Sequence, residues 1–89
     1  MRKIEQTTRF KKDVKRAKKR GKQFKAFRLI INQLAKGQRL EAKYRDHALS
    51  GGYKGSRECH IEPDWLLIYE LTEDELILIR TGTHADLFR

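Results

Sequence analysis

The apolar positions follow a helical period in the first part of the chain and a β period in the second. Phe10, Val14 and Ala17 recur at i, i+4 and i+7, and Phe24, Phe27, Ile30, Ile31 and Leu34 repeat the same spacing more fully. Two helices are predicted. The first is opened by Thr8, whose hydroxyl can accept from first-turn N–H groups, and closed at Gly21; the second ends at Gly37. Ahead of them, Lys3 to Thr7 is short and β-tolerant and reads as a first strand. Later, Arg57 to Glu62 alternates weakly and stops at Pro63. Trp65 to Leu71 (WLLIYEL) is almost continuously apolar, as a central strand is, and Leu76 to Arg80 (LILIR) returns after the polar turn Thr72-Glu73-Asp74-Glu75. Residues 38–56 read as irregular, and Thr81 to Arg89 as a short tail. The predicted order is β-α-α-β-β-β, an α+β fold with a helical hairpin packed on one face of a mainly antiparallel sheet.

Composition narrows what such a fold does. Eighty-nine residues with a single proline and no low-complexity stretch are expected to form one domain, residues 1–89, without a linker. No apolar run is long enough to span a bilayer, the N-terminus shows no signal-peptide core, and the one cysteine, Cys59, excludes an intramolecular disulfide framework. A cytoplasmic protein is expected, with no membrane partner. Net charge is +9, with pI ≈ 10.0, which points to a polyanionic partner. The charge is divided along the chain. Residues 1–45 carry 17 Lys+Arg against 3 Asp+Glu, whereas residues 46–89 carry 4 against 9, so the halves are +14 and −5. The basic face is densest at Lys11, Lys12, Lys15, Arg16, Lys18, Lys19, Arg20 and Lys22, where Asp13 is the only acid. Phosphate contact is expected there, with Lys54 and Arg57 as further candidates.

All three histidines lie in the other half: His47 beside Asp46, His60 near the end of a predicted strand, and His84 after the last one. Antiparallel neighbours can bring His60, Asp64, Arg80 and His84 to one end of the sheet. Three proton-handling groups and a permanent cation suit phosphodiester cleavage, in which a base deprotonates a ribose 2′-hydroxyl, an acid protonates the leaving 5′-oxygen and arginine stabilises the phosphorane. Taken singly, each histidine reads first as a surface or hydrogen-bonding residue. Trp65 suits the core as well as base stacking, and Phe88 either caps the core edge or stacks on a nucleobase. Cys59 reads as a small buried or edge residue. No histidine pair has a tight ligand spacing such as HxxxH, so no metal or cofactor is expected.

Three stretches resemble a known family: Tyr44-Arg45-Asp46-His47-Ala48-Leu49-Ser50-Gly51, Gly55 to Tyr69 (GSRECHIEPDWLLIY) and Arg80 to Phe88 (RTGTHADLF). Together they look like a YafQ-type toxin of the RelE/ParE superfamily, and Phe10, Lys12 and Asp13 fit the same pattern more loosely. The resemblance implies the α+β order already reached, and a bacterial toxin that enters the ribosomal A site and cuts mRNA without metal, leaving a 2′,3′-cyclic phosphate and a 5′-hydroxyl. It also implies a catalytic set of His47, His60, Asp64, Arg80, His84 and Phe88. His84 would be the general acid, Arg80 the transition-state cation and Phe88 a base-orienting ring, with His47, His60 and Asp64 sharing base and positioning roles. The implied partners are an acidic DinJ/RelB-like antitoxin, the 70S ribosome with its mRNA, and operator DNA only through the antitoxin complex. Two other readings remain: a basic module that blocks translation without cutting, and a ParE-like gyrase poison on the same scaffold.

Overall fold

A computed structural model describes residues 1–88 in full; Arg89, the last residue of the predicted tail and domain, lies outside the described residues. The elements are β1 (Lys3–Gln6), α1 (Thr8–Lys19), α2 (Lys25–Ala35), β2 (His47–Ala48), β3 (Arg57–Glu62), β4 (Trp65–Leu71), β5 (Glu75–Gly82) and α3 (His84–Phe88). The sheet has five strands in the order β1-β5-β4-β3-β2, antiparallel except for the parallel pair β1 and β5. The apolar strand β4 is central, as its composition requires.

Three local expectations are corrected. The cap of α1 is Thr7, not Thr8: Thr7 is extended, its hydroxyl accepts from the Phe10 N–H at 3.0 Å, and the same hydroxyl donates to the Ile79 carbonyl at 2.7 Å. The helix is thereby tied to β5 at its first turn. Residues 38–56 are not wholly irregular. They contain β2, which pairs with the start of β3, and single 3₁₀ turns at Ala42–Tyr44 and Gly51–Tyr53. A strand of two residues shows no alternation in sequence. Last, β5 runs on through Gly82, and the tail forms α3. Thr83 and Asp86 bond reciprocally, Asp86 N–H to the Thr83 hydroxyl at 3.1 Å and Thr83 N–H to the Asp86 carboxylate at 3.0 Å, which is a capping box that starts a helix despite its short length.

The helices cover one face of the sheet. Phe10, Phe27, Ile30 and Leu34 bury against Cys59, Ile61, Trp65, Leu67, Tyr69, Leu76 and Leu78. Trp65 keeps its structural reading: it is 1% exposed, stacks on Phe27 at 5.4 Å and donates its indole N–H to the Thr81 hydroxyl at 2.9 Å. Cys59 is fully buried, and that burial pushes its thiol up to about 12, far from a reactive thiolate. The opposite face carries a small cluster of Leu66, Ile68 and Leu87 with Leu49, Tyr53 and Ile79 packed around it. That face is otherwise left to polar side chains.

Gly82 joins β5 to α3 at a point where there is no room for a side chain. A Cβ there would stand 2.8 Å from Asp86 Oδ2 and 3.0 Å from Asp86 Cβ. Gly82→Ala should therefore displace Asp86, loosen α3 and destabilise the protein by about 1–3 kcal/mol. Thermal unfolding measures this, and an unchanged Tm would count against the close approach.

Candidate active site on the open sheet face

Register across the sheet brings the candidate residues together. His47 pairs with Glu58, Glu58 with Ile68, and Ile68 with Arg80, so these four form one row across β2, β3, β4 and β5. His60 pairs with Leu66, and Leu66 with Gly82, in the row two residues along. Directly paired residues share a face, and alternate residues along a strand return to it. Both rows lie on the face away from the helices.

Arg80 reaches that face through an irregularity. Tyr69 pairs with Leu78 but Ile68 pairs with Arg80, so Ile79 is an extra residue in β5, a β-bulge. Strict alternation from Leu76 and Leu78 would have turned Arg80 toward the helices. The bulge turns it toward Ile68 and Glu58. There its guanidinium meets Asp13 of α1, donating Nε to Oδ2 at 2.7 Å and Nη2 to Oδ1 at 3.1 Å. Arg80's pKa is raised, first by the Asp13 hydrogen bonds and further by Tyr53.

The histidine rings stand in a row, with centroids 6.3 Å apart for His47 and His60 and 5.7 Å for His60 and His84. Their neighbours assign their protons. His84 Nδ1 is 2.7 Å from Asp64 Oδ1, which also accepts the His84 backbone N–H at 2.9 Å. A carboxylate can only accept, so Nδ1 carries hydrogen and Nε2 is directed away from the pair. The backbone N–H and then the ring of His84 hold the Asp64 carboxyl below its ordinary range. His47 Nδ1 faces the Arg45 carbonyl at 2.7 Å and donates to it, which leaves Nε2 of the neutral ring as an acceptor. His60 gives its Nε2 hydrogen to Glu58 at 3.1 Å. Phe88, 46% exposed, lies 6.5 Å from the His84 ring and edge-on to Tyr53 at 5.8 Å, so it is a site-facing ring and not a plug of the core.

All six residues of the proposed catalytic set thus occupy one face and its margin. Three further groups escaped the sequence reading. Glu58 is 5% exposed, yet it sits 3.1 Å from His60 Nε2 and 3.6 Å from His47 Nε2. Its position between two histidines of a weakly alternating strand was the available signal. Tyr53 was hidden in a glycine-rich segment, and Asp13 in the lysine-rich helix. The histidines stand side by side instead of converging, and among the described residues no group of three or more His, Cys, Asp or Glu is placed to hold a metal ion.

The basic candidates divide into two groups. Lys11, Lys12, Lys15, Lys18, Lys19 and Lys54 are exposed. Arg16, Arg20, Lys22 and Arg57 instead face carboxylates. Arg20 clamps Asp86 at 2.7 and 3.2 Å, Arg16 reaches Asp13 at 3.0 Å, Lys22 reaches Glu62 at 3.1 Å, and Arg57 reaches Asp46 at 3.3 Å. Asp46 also accepts the buried Tyr69 hydroxyl.

Comparison with known proteins agrees with this architecture. The family profile described as "Bacterial toxin of type II toxin-antitoxin system, YafQ" matches residues 2–89. The mRNA interferase toxin YafQ of Escherichia coli strain K12 is 47% identical over 86 residues, covering 96% of this chain and 94% of that protein. Among solved structures, a chain of the E. coli DinJ–YafQ complex superposes with a TM-score of 0.93 at 46% identity, covering 100% of both chains. A metal-bound toxin from Helicobacter pylori superposes at 0.92 with 43% identity, covering 99% of this chain and 100% of that one. Fold and site together define a small toxin of the type II toxin–antitoxin class. Within it, the chain belongs to the YafQ family.

Asp86 couples this site to pH. The Arg20 hydrogen bonds, and then those from Thr83, hold its carboxyl well below the usual range. A depressed folded-state value contributes stability that is complete above the unfolded value of about 4 and is lost as pH falls toward the folded one. The urea midpoint should fall below about pH 4, and Asp86→Asn should flatten that fall while lowering the midpoint at pH 7. Parallel pH profiles for parent and variant would contradict this account.

Proposed function

We propose that the chain is an endoribonuclease, an mRNA interferase that cuts mRNA in the ribosomal A site by acid–base chemistry on its own side chains. The observation that carries this reading is the row His47–His60–His84, ended at one side by the Asp64 pair and flanked by Arg80. In-line cleavage needs a base and an acid on opposite sides of one phosphorus. The two outer histidines stand at the ends of the row, where a phosphate lying between them would meet one ring on each side; His47 Nδ1 faces a neutral carbonyl and His84 Nδ1 a carboxylate.

In the proposed reaction, His47 Nε2 removes the ribose 2′-hydroxyl proton, and the freed oxygen attacks the adjacent phosphorus. Glu58, shared by His47 and His60, stabilises the positive charge that the base acquires. Arg80 faces the negative charge on the phosphorane. The P–O5′ bond then breaks as His84 Nε2, protonated and oriented by Asp64, delivers its proton to the departing oxygen. The products are a 2′,3′-cyclic phosphate and a 5′-hydroxyl. Phe88 and Tyr53 present ring surface to a base beside the scissile bond.

An exposed site on a sheet has few walls to orient a flexible RNA, which supports a ribosome that supplies positioning. The exposed lysines of α1 would hold rRNA phosphates. The DinJ–YafQ pairing of the E. coli relative supports an antitoxin partner for this chain. An acidic one would mask the basic face, and operator DNA would be met through that complex. No helix among the described residues is long and apolar enough to cross a membrane.

Mapping mRNA 5′ ends on translating ribosomes, with and without the protein, tests the reading. New 5′-hydroxyl ends inside codons are expected, with little cutting of naked RNA. His84→Gln should lower the cleavage rate about 10²–10⁴-fold. Growth arrest by that variant equal to the parent's would favour a non-cutting inhibitor. Replacing Lys11, Lys15, Lys18 and Lys19 by alanine should weaken ribosome binding and flatten its dependence on log salt by roughly one unit for each phosphate no longer neutralised. The paired Arg20→Ala change should chiefly lower Tm. Equal effects on binding from both sets would remove the distinction between free and paired cations.

A further inference from the structure

We infer that Asp13 is the positioning residue for Arg80: the α1 carboxylate fixes the guanidinium over the open sheet face before RNA arrives. The inference rests on the endonuclease reading above. Asp13 is the single acid in the basic stretch from Lys11 to Lys22, and it is 5% exposed. An isolated carboxylate at that depth would be unfavourable, but this one is fully engaged. Oδ2 accepts Arg80 Nε at 2.7 Å and the Thr81 backbone N–H at 3.2 Å; Oδ1 accepts Arg80 Nη2 at 3.1 Å and Arg16 Nη2 at 3.0 Å.

The geometry has a directional consequence. Arginine is a flexible side chain with a rigid planar head, and a two-point contact fixes both the plane and its rotation. Nε and Nη2 are used by Asp13, and neither of these bonds uses Nη1. That nitrogen and the second Nη2 hydrogen are left to face the Tyr53 hydroxyl or a phosphate oxygen. The Thr81 N–H adds a main-chain anchor one residue beyond Arg80, so the carboxylate is fixed to the strand as well as to the side chain. Fixing matters because the Ile79 bulge has already turned Arg80 out of the regular pleat. In addition, Asp13 balances the charge of Arg80 in the free enzyme. Arg80 then acts on the phosphorane chiefly by a directed hydrogen bond, not as a loose cation.

The experiment compares the parent, Asp13→Asn, Arg80→Ala and the double variant in single-turnover cleavage of mRNA on programmed ribosomes. Tm and ribosome affinity are measured for each. In parallel, solvent exchange of the Arg80 Nε hydrogen is followed by NMR in the parent. Asp13→Asn should lower the cleavage rate by about 10²-fold at saturating ribosomes, the scale for a misplaced catalytic group, with ribosome affinity changed less than about threefold. In the Arg80→Ala background, the same substitution should lower the rate no further, because Asp13 acts through Arg80. The parent's Arg80 Nε hydrogen should exchange slowly. Fast exchange in the parent overturns the proposal even if Asp13→Asn fails to fold. An additive loss in the double variant, or a loss confined to ribosome affinity or Tm, also overturns it. A parent that leaves mRNA uncut on ribosomes refutes the endonuclease reading itself, and this inference with it.

Discussion

A carboxylate surrounded by lysines in sequence, yet buried with four donors in the fold, is the constraint on which the rest of the structure depends. Asp13 joins α1 to β5 at the point where β1 has ended and the edge of β5 would otherwise lie open beyond Leu78. Taking one partner of such a pair away leaves a buried charge unmatched, and the usual cost is about 3–5 kcal/mol. The same pairing locks the helix that carries most of the positive surface to the strand that carries Arg80. The basic helix and the proposed reaction site are therefore tied to each other directly.

A second ion pair continues this arrangement. Arg20, at the C-terminal end of α1, clamps Asp86, and Asp86 closes the capping box that starts α3. Only because Gly82 has no side chain can Asp86 come so close. The result is that His84 and Phe88 stand on a short helix fixed at its first turn, although five residues would not hold a helix alone. His84 is further fixed by Asp64 through both its backbone and its ring. The site is assembled on an open face, and its order comes from these anchors and not from enclosure.

The charge division along the chain takes a new meaning in three dimensions. A +14 half and a −5 half suggest that one grips and the other reacts. In the fold, acids of the second half return to the first and neutralise part of it: Asp86 on Arg20 and Glu62 on Lys22. What remains free on α1 is narrower, the face of Lys11, Lys12, Lys15, Lys18 and Lys19. Those lysines are the side chains on which salt-sensitive phosphate contact is proposed, while Arg16 and Arg20 are paired with Asp13 and Asp86.

Much of this was legible in the residues themselves. The helical spacing of Phe24, Phe27, Ile30 and Leu34, and the unbroken apolar run of β4, determine the helix pair and the central strand, because burial rewards only those periods. The histidines, Asp64, Arg80 and Phe88 were identifiable as chemistry-bearing groups, and the resemblance of their motifs placed them in one family. Three things were decided only by the tertiary structure. One extra residue at Ile79 reverses the side on which Arg80 emerges, and no local pattern marks it. Glu58 is one polar position of a weakly alternating strand in sequence, and only the pairing of β2 with β3 brings His47 to it. Asp13 is the single acid of a basic stretch in sequence, and only the passage of β5 beside it gives it Arg80 and Thr81 as partners. Local sequence sets which face of an element is apolar; the partners of a buried charge come from distant parts of the chain, and only their packing determines them.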